Sequence, residues 1–107
     1  MRLGEKQELF AKLYAEHILW LYEQGYACRL GDVFAHDRHK DDSNHYLKIA
    51  GDINLFDAEG EFITTTEGHR FSGEKWETRH ELCRWGGRFN DGNHYSLVRV
   101  IRGVEHM

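Results

Sequence analysis

The chain has 107 residues, 40% of them hydrophobic and 30% charged, with a net charge of −4; that is the make-up of one globular domain over residues 1–107, and its acidic balance speaks against a general nucleic-acid surface. No run is long and apolar enough to insert in a membrane, and the opening Met1-Arg2-Leu3-Gly4-Glu5-Lys6 lacks the apolar stretch of a secretory signal, so synthesis in the cytoplasm is expected. Cys28 and Cys83 lie far apart and in no CxxC pattern, which excludes a disulfide framework and reads as two reduced thiols packed in the core.

Residues 4–24 predict one long helix. Leu9, Phe10, Leu13, Tyr14, His17, Ile18, Trp20 and Leu21 recur at steps of three and four and form an apolar face, with His17 as a partly buried packing residue. Gly25 is a natural stop. Residues 26–30 read as a short strand ended by Gly31-Asp32, and residues 35–44, dense in His, Asp, Lys and Arg, as an exposed loop. Residues 47–56 are the clearest strand. Leu47, Ile49, Gly51, Ile53 and Leu55 alternate there with Lys48, Ala50, Asp52, Asn54 and Phe56, so Asp52 and Asn54 share a face. A turn at 57–60 leads to a second strand at 61–65. Residues 72–84 predict a helix capped by Ser72, with Glu74 and Glu77 near its positive end. Gly86-Gly87 ends it, Asn90-Asp91-Gly92-Asn93 makes a turn, and 94–101 is the last strand. The order is that of an α+β domain with a small, largely antiparallel sheet and flanking helices.

Two clusters carry candidate chemistry, Ser43-Asn44-His45 leading to Asp52, and Asp91-Gly92-Asn93-His94. A catalytic zinc site needs three protein ligands and an open position, and a nearby base to take a proton from water. His45, Asp52 and His94 are candidate zinc ligands, and Asp91 the candidate general base and acid. An Asp in a central strand is costly without a partner, and a metal is one such partner. If the strands that hold Asp52 and His94 are neighbours, the side chains converge at one end of the sheet. The bland alternatives are real: eight histidines in this length make chance groupings common, and Asp-Gly is an ordinary turn pair. His36 and His39 fall in a charged loop that reads as a solvated face. His69 and His80 read as local hydrogen-bonding residues, and Trp20, Trp76 and Trp85 as core. Tyr46 and Tyr95 flank candidate ligands and are possible cleft residues. Arg84 and Arg88 are cations that could attract an acidic peptide.

The segment Ser43-Asn44-His45-Tyr46-Leu47-Lys48-Ile49-Ala50-Gly51-Asp52 resembles the S-x-H-x(6)-D motif of the M15 zinc peptidases. Trp85-Gly86-Gly87-Arg88-Phe89-Asn90-Asp91-Gly92-Asn93-His94 resembles their closing D-x-x-H motif, commonly preceded by Gly-Gly. The opening helix and the stretch 64–87 look like the short phage and prophage branch, so the likeness covers nearly the whole chain. It implies a hedgehog/DD-peptidase fold, Zn2+ held by His45, Asp52 and His94, Asp91 as the catalytic residue, and Ser43 ordering the loop of the first ligand. It further implies hydrolysis of an amide bond in the stem peptide of peptidoglycan, by a phage or prophage lysis enzyme that acts on the cell wall in the periplasm after release. Cleavage between L-Ala and D-Glu is the first expectation. The alternatives are D-Ala-D-Ala carboxypeptidase action and a non-catalytic module that binds zinc or the stem peptide. A monomer is expected. The chain departs from the family at two places. Many members have Gly where this chain has Lys48. Many also carry an Arg after the early strand, where this chain has Ala35, with Arg38 as the candidate replacement.

Overall fold

The computed structural model describes residues 1–31 and 47–107. It is an α+β fold of two helices and a small antiparallel sheet. Helix α1 runs Leu3–Glu23. At its start the Glu5 carboxylate accepts the Arg2 backbone N–H at 2.9 Å. Its end is a Schellman closure: Gly25, at φ +92°, and Tyr26 donate back to the carbonyls of Tyr22 and Leu21, at 3.1 Å each. Phe10, Leu13, Tyr14, His17 and Leu21 form its buried stripe, as the periodicity requires.

Strands β1 (Ala27–Leu30), β2 (Ala50–Phe56), β3 (Cys83–Trp85) and β4 (His94–Leu97) form one sheet in the order β1-β2-β4-β3, with every neighbouring pair antiparallel. Gly51, Ile53 and Leu55 of β2 and Tyr95 and Leu97 of β4 are buried in the core that also takes in α1 and Trp76. Trp76 belongs to helix α2, Arg70–Thr78. It stands edge-on to Phe10 and Tyr95, and its Nε1–H is shared between the carbonyls of Arg84 and Ser96, at 3.1 Å each. Gly51 lets Tyr14 cross the strand: a Cβ there would meet the Tyr14 hydroxyl at 2.7 Å.

Several expected elements differ. β2 begins at Ala50 because the chain turns at 47–49, where Lys48 has φ +60°. The 61–65 segment makes only a single bridge, Phe56 to Phe62, after a turn in which Asp57 Oδ1 accepts the N–H groups of Glu59 and Glu61. The second helix starts earlier and ends sooner than 72–84. A short 3-10 turn, Glu67–His69, precedes α2, and just before it the Thr65 hydroxyl accepts the Gly68 N–H at 3.0 Å. Ser72 is therefore not a cap; it lies buried inside the helix. At the other end the Thr78 hydroxyl donates to the Lys75 carbonyl, and His80 Nδ1 accepts the Leu82 N–H, which turns the chain out of the helix. Cys83 consequently sits in a strand. The last strand divides into β4 and a hairpin of β5 (Arg99–Ile101) and β6 (Val104–His106), with Gly103 at φ +80° in its turn.

His17 is fully buried rather than partly so. Arg79 donates to its Nδ1 at 2.8 Å, and its Nε2–H donates to Ser72 Oγ at 2.9 Å. Ser72 in turn lies 2.7 Å from the Tyr95 hydroxyl. Tyr95, fully buried, faces this network and not a cleft. Cys83 is buried and Cys28 half-buried, both as free thiols. No described helix is long and apolar enough to cross a membrane.

Candidate metal centre

The pairing of β2 with β4 sets Asp52 directly opposite His94. Side chains alternate along a strand, so Asp52 and Asn54 project from the face opposite Gly51, Ile53 and Leu55. On that face Asp52 Oδ1 and His94 Nδ1 are 3.6 Å apart, with the side chains 18% and 9% exposed. The other imidazole nitrogen, Nε2, is 2.9 Å from the carbonyl oxygen of Met107. A carbonyl only accepts, so Nε2 carries the hydrogen, and in the neutral ring Nδ1 turns a lone pair towards Asp52. Bonds of about 2.0–2.2 Å at a tetrahedral angle separate two zinc ligands by roughly 3.4 Å, so the spacing of the pair fits two donors of one ion. It equally serves an imidazolium–carboxylate pair when Nδ1 is protonated.

The backbone around this pair is held from several sides. The Asp52 carbonyl accepts the Tyr14 hydroxyl at 3.0 Å and the Gly31 N–H at 2.9 Å. Gln7 donates to the Leu47 carbonyl at 2.9 Å and ties α1 to the turn that enters β2. One step along the strand, Asn93 donates to the Asn54 side chain at 3.0 Å. The β5–β6 hairpin is tied to the same face: Arg84, cross-strand from Ser96, pairs with Glu105 at 3.4 Å, and Met107 beyond the hairpin reaches His94.

Asp91 is exposed in the turn before β4. Its N–H donates to the Gly86 carbonyl at 3.0 Å, and its own carbonyl accepts the His94 N–H at 3.2 Å. The turn is built on Gly86 and Trp85. A Cβ on Gly86 would stand 2.3 Å from the Asp91 carbonyl oxygen and 2.8 Å from His94 Cβ. The Trp85 ring lies so close to Gly73 and Gly87 that a Cβ on either would overlap it, and its Nε1–H donates to the Gly92 carbonyl at 2.7 Å. Asn90 takes the left-handed conformation, φ +57°, which Asn tolerates better than most residues. Asp91 also lines an open pocket of about 180 Å³, together with Asn54, His69 and the 64–66 segment.

The structure thus brings Asp52 and His94 together and sets Asp91 in the turn that leads to His94. His45, Ser43, Arg38, Ala35, Tyr46, His36 and His39 lie outside the described residues. Among the described residues no three His, Cys, Asp or Glu side chains group as a metal site. Arg84 and Arg88 are engaged with Glu105 and Glu77. Sequence reasoning missed Trp85 as the anchor of the Asp91 turn, Met107 as the partner of His94, and the Asn54–Asn93 bond. The adjacent glycines after Trp85 were the one available signal, since paired glycines mark close backbone approach. No protein-family model matches the chain, and no curated protein is significantly similar to it.

Proposed function

We propose that this chain is a zinc-dependent peptidase of the bacterial cell wall, of the hedgehog/DD-peptidase type, that hydrolyses an amide bond of the peptidoglycan stem peptide. The L-Ala–D-Glu bond is the first choice and the D-Ala–D-Ala bond the second. The observation that carries the reading is the cross-strand pair of Asp52 and His94, whose facing donor atoms are 3.6 Å apart. Their donor types suit zinc, and the motif that motivates the reading supplies His45 as the third ligand. Lys48 adds support. Family members commonly have Gly at that position, and here it has φ +60°, the conformation glycine adopts without strain.

Zinc, when bound, supplies Lewis-acid polarisation of the scissile carbonyl. The rest falls to the chain's own groups. Asp91, exposed and fixed by its turn, accepts the proton of the attacking water and returns it to the leaving amine. Trp85 and Gly86 hold that turn against His94. Met107 fixes the ring of His94 through Nε2, as a second-layer acceptor does for a metal-binding imidazole. The biological setting that suits such an enzyme is phage or prophage lysis, with action on the wall after release.

The test is mass spectrometry of purified peptidoglycan digested by zinc-loaded protein, beside a chelator-treated control. Chelator-sensitive new D-Glu amino termini identify the endopeptidase, and free D-Ala identifies the carboxypeptidase. Asp91→Asn is expected to keep its zinc and lose at least 100-fold in rate. No new termini from protein shown to hold zinc would reduce the reading to a binding module.

A further inference from the structure

One step along β2 from Asp52, on the same face of the strand, Asn54 enters the open pocket of about 180 Å³ that Asp91 also lines. Its far wall is the run Thr64, Thr65 and Thr66, and His69 lies at its base, 4% exposed. Two contacts hold the threonine run in place. The ring of His69 donates from Nε2 to the Ile63 carbonyl at 3.3 Å, which ties the threonine run to the start of the second helical segment. Gly92 lies so close to Thr66 and His69 that a Cβ there would stand 2.7 Å from Thr66 Cα and 3.3 Å from His69 Cβ, which holds the run against the Asp91 turn.

The chemistry of this lining is selective. Hydroxyls and carboxamides dominate it, and Asp91 is its one charged side chain among the described residues. With Nε2 donating, His69 Nδ1 is an acceptor, and it is buried without a hydrogen-bond partner. Burial pushes this imidazole below its ordinary range, against the weaker opposing effect of the Ile63 bond, so it is neutral near pH 7. Such a lining offers both donors and acceptors, as an amide group requires, and its one charge, on Asp91, disfavours a carboxylate.

Resting on the peptidase reading, we infer that this pocket is a substrate subsite that takes an uncharged, amide-bearing stretch of the stem peptide and leaves the peptide's carboxylates outside. Thr64 is exposed and lines the pocket, so Thr64→Trp fills it with little demand on the core. Kinetics of peptidoglycan hydrolysis are compared for wild type, Thr64→Trp and Thr64→Ser, with zinc content and unfolding midpoint measured for each. Separately, N-acetylmuramoyl-L-Ala-D-Glu is titrated into 15N-labelled wild-type protein held inactive with a chelator, which keeps Asp91.

The expected result is a KM raised about 10-fold or more in Thr64→Trp and clearly less in Thr64→Ser, which keeps the hydroxyl and adds no bulk. Zinc content and unfolding midpoint stay unchanged, and the amide signals of Thr64, Thr65, Thr66 and Asn93 shift on titration. Wild-type KM in Thr64→Trp, with hydrolysis intact, overturns the subsite and leaves the peptidase standing. If the wild type does not hydrolyse peptidoglycan, the peptidase reading fails and the titration decides the pocket alone. Shifts at the threonine run then uphold it as a peptide-binding site, and their absence overturns it.

Discussion

Lys48 and Gly86 are opposite cases of one constraint, the backbone conformation that a side chain permits. Lys48 holds φ +60°, a region that costs an L-residue about 1–2 kcal/mol. Lys48→Gly removes that strain but gives the unfolded chain more freedom. The expected net effect is a stabilisation of about 0.5–1 kcal/mol, read from the urea midpoint at unchanged slope. A loss of stability would show that the Lys48 side chain contributes more than its backbone costs. Gly86 has no room to grow, because a Cβ would press on the Asp91 carbonyl and on His94. Gly86→Ala is expected to lose about 1–3 kcal/mol through backbone displacement and to weaken zinc binding with it, as isothermal titration would show. Wild-type zinc affinity in that variant would mean that the Asp91 turn moves independently of His94. At this scale the sequence was legible where a residue type is tied to a chemistry, as with Asp52 and His94. It was mute where a role depends on a neighbour brought by the fold, as with Met107 on the His94 ring.

Elements were legible in proportion to how much their own pattern decides them. Helix α1 has a five-residue buried stripe and a glycine stop, and it forms within one residue of its expected bounds. β1 and β2 formed where alternation or a glycine boundary marked them. The second helix was misjudged because apolar residues at helical steps, Trp76 and Cys83, belong to a helix and to a strand that packs against it. Periodicity cannot separate those cases. The strand order β1-β2-β4-β3, which sets Asp52 beside His94, is a property of pairing and is written in no single segment. The β5–β6 hairpin was missed because its residues continue the alternation of β4; only Arg102 at φ +52° and Gly103 mark the turn. This hairpin lies away from the main core, pairs Glu105 with Arg84, and leads to Met107, whose carbonyl reaches the His94 ring. Ending the chain after Val98 is therefore expected to leave a cooperative unfolding transition while zinc affinity falls about 10- to 100-fold, the usual cost of removing the acceptor behind a metal-binding imidazole. Full affinity in the shortened chain, by competition with a zinc chelator of known Kd, would remove Met107 from the site.

The whole molecule carries a pH signature set by its buried neutral groups. Burial, joined by the Arg79 and Lys75 charges, pushes the His17 imidazole down to about 3 from 6.5, and burial lowers His69 as well. In the unfolded chain these rings take up a proton near 6.5. For His17 the unfolded state binds more protons between the two values, so its contribution is complete above about pH 6.5 and is lost as pH falls from there towards 3, and His69 acts in the same direction. The thiols set the other limit. Burial raises Cys28 to about 11 and Cys83 to about 12 from 9.0, so their contribution is complete below about pH 9 and declines above it. Stability should therefore form a plateau between these limits. His17→Gln separates His17 from the carboxylates that also titrate in acid. The Gln amide can still donate to Ser72, but the side chain takes up no proton, so the variant should be less stable at pH 7 and yet flatter in acid. The change in slope between pH 6 and 4 should approach one proton, about 1.4 kcal/mol per pH unit. Denaturant titrations at four or five pH values measure that slope. An identical acid limb in wild type and variant would show that His17 is already neutral in the unfolded chain or charged in the folded one. The buried Arg79–His17–Ser72–Tyr95 chain would then need a proton that the present geometry does not give it.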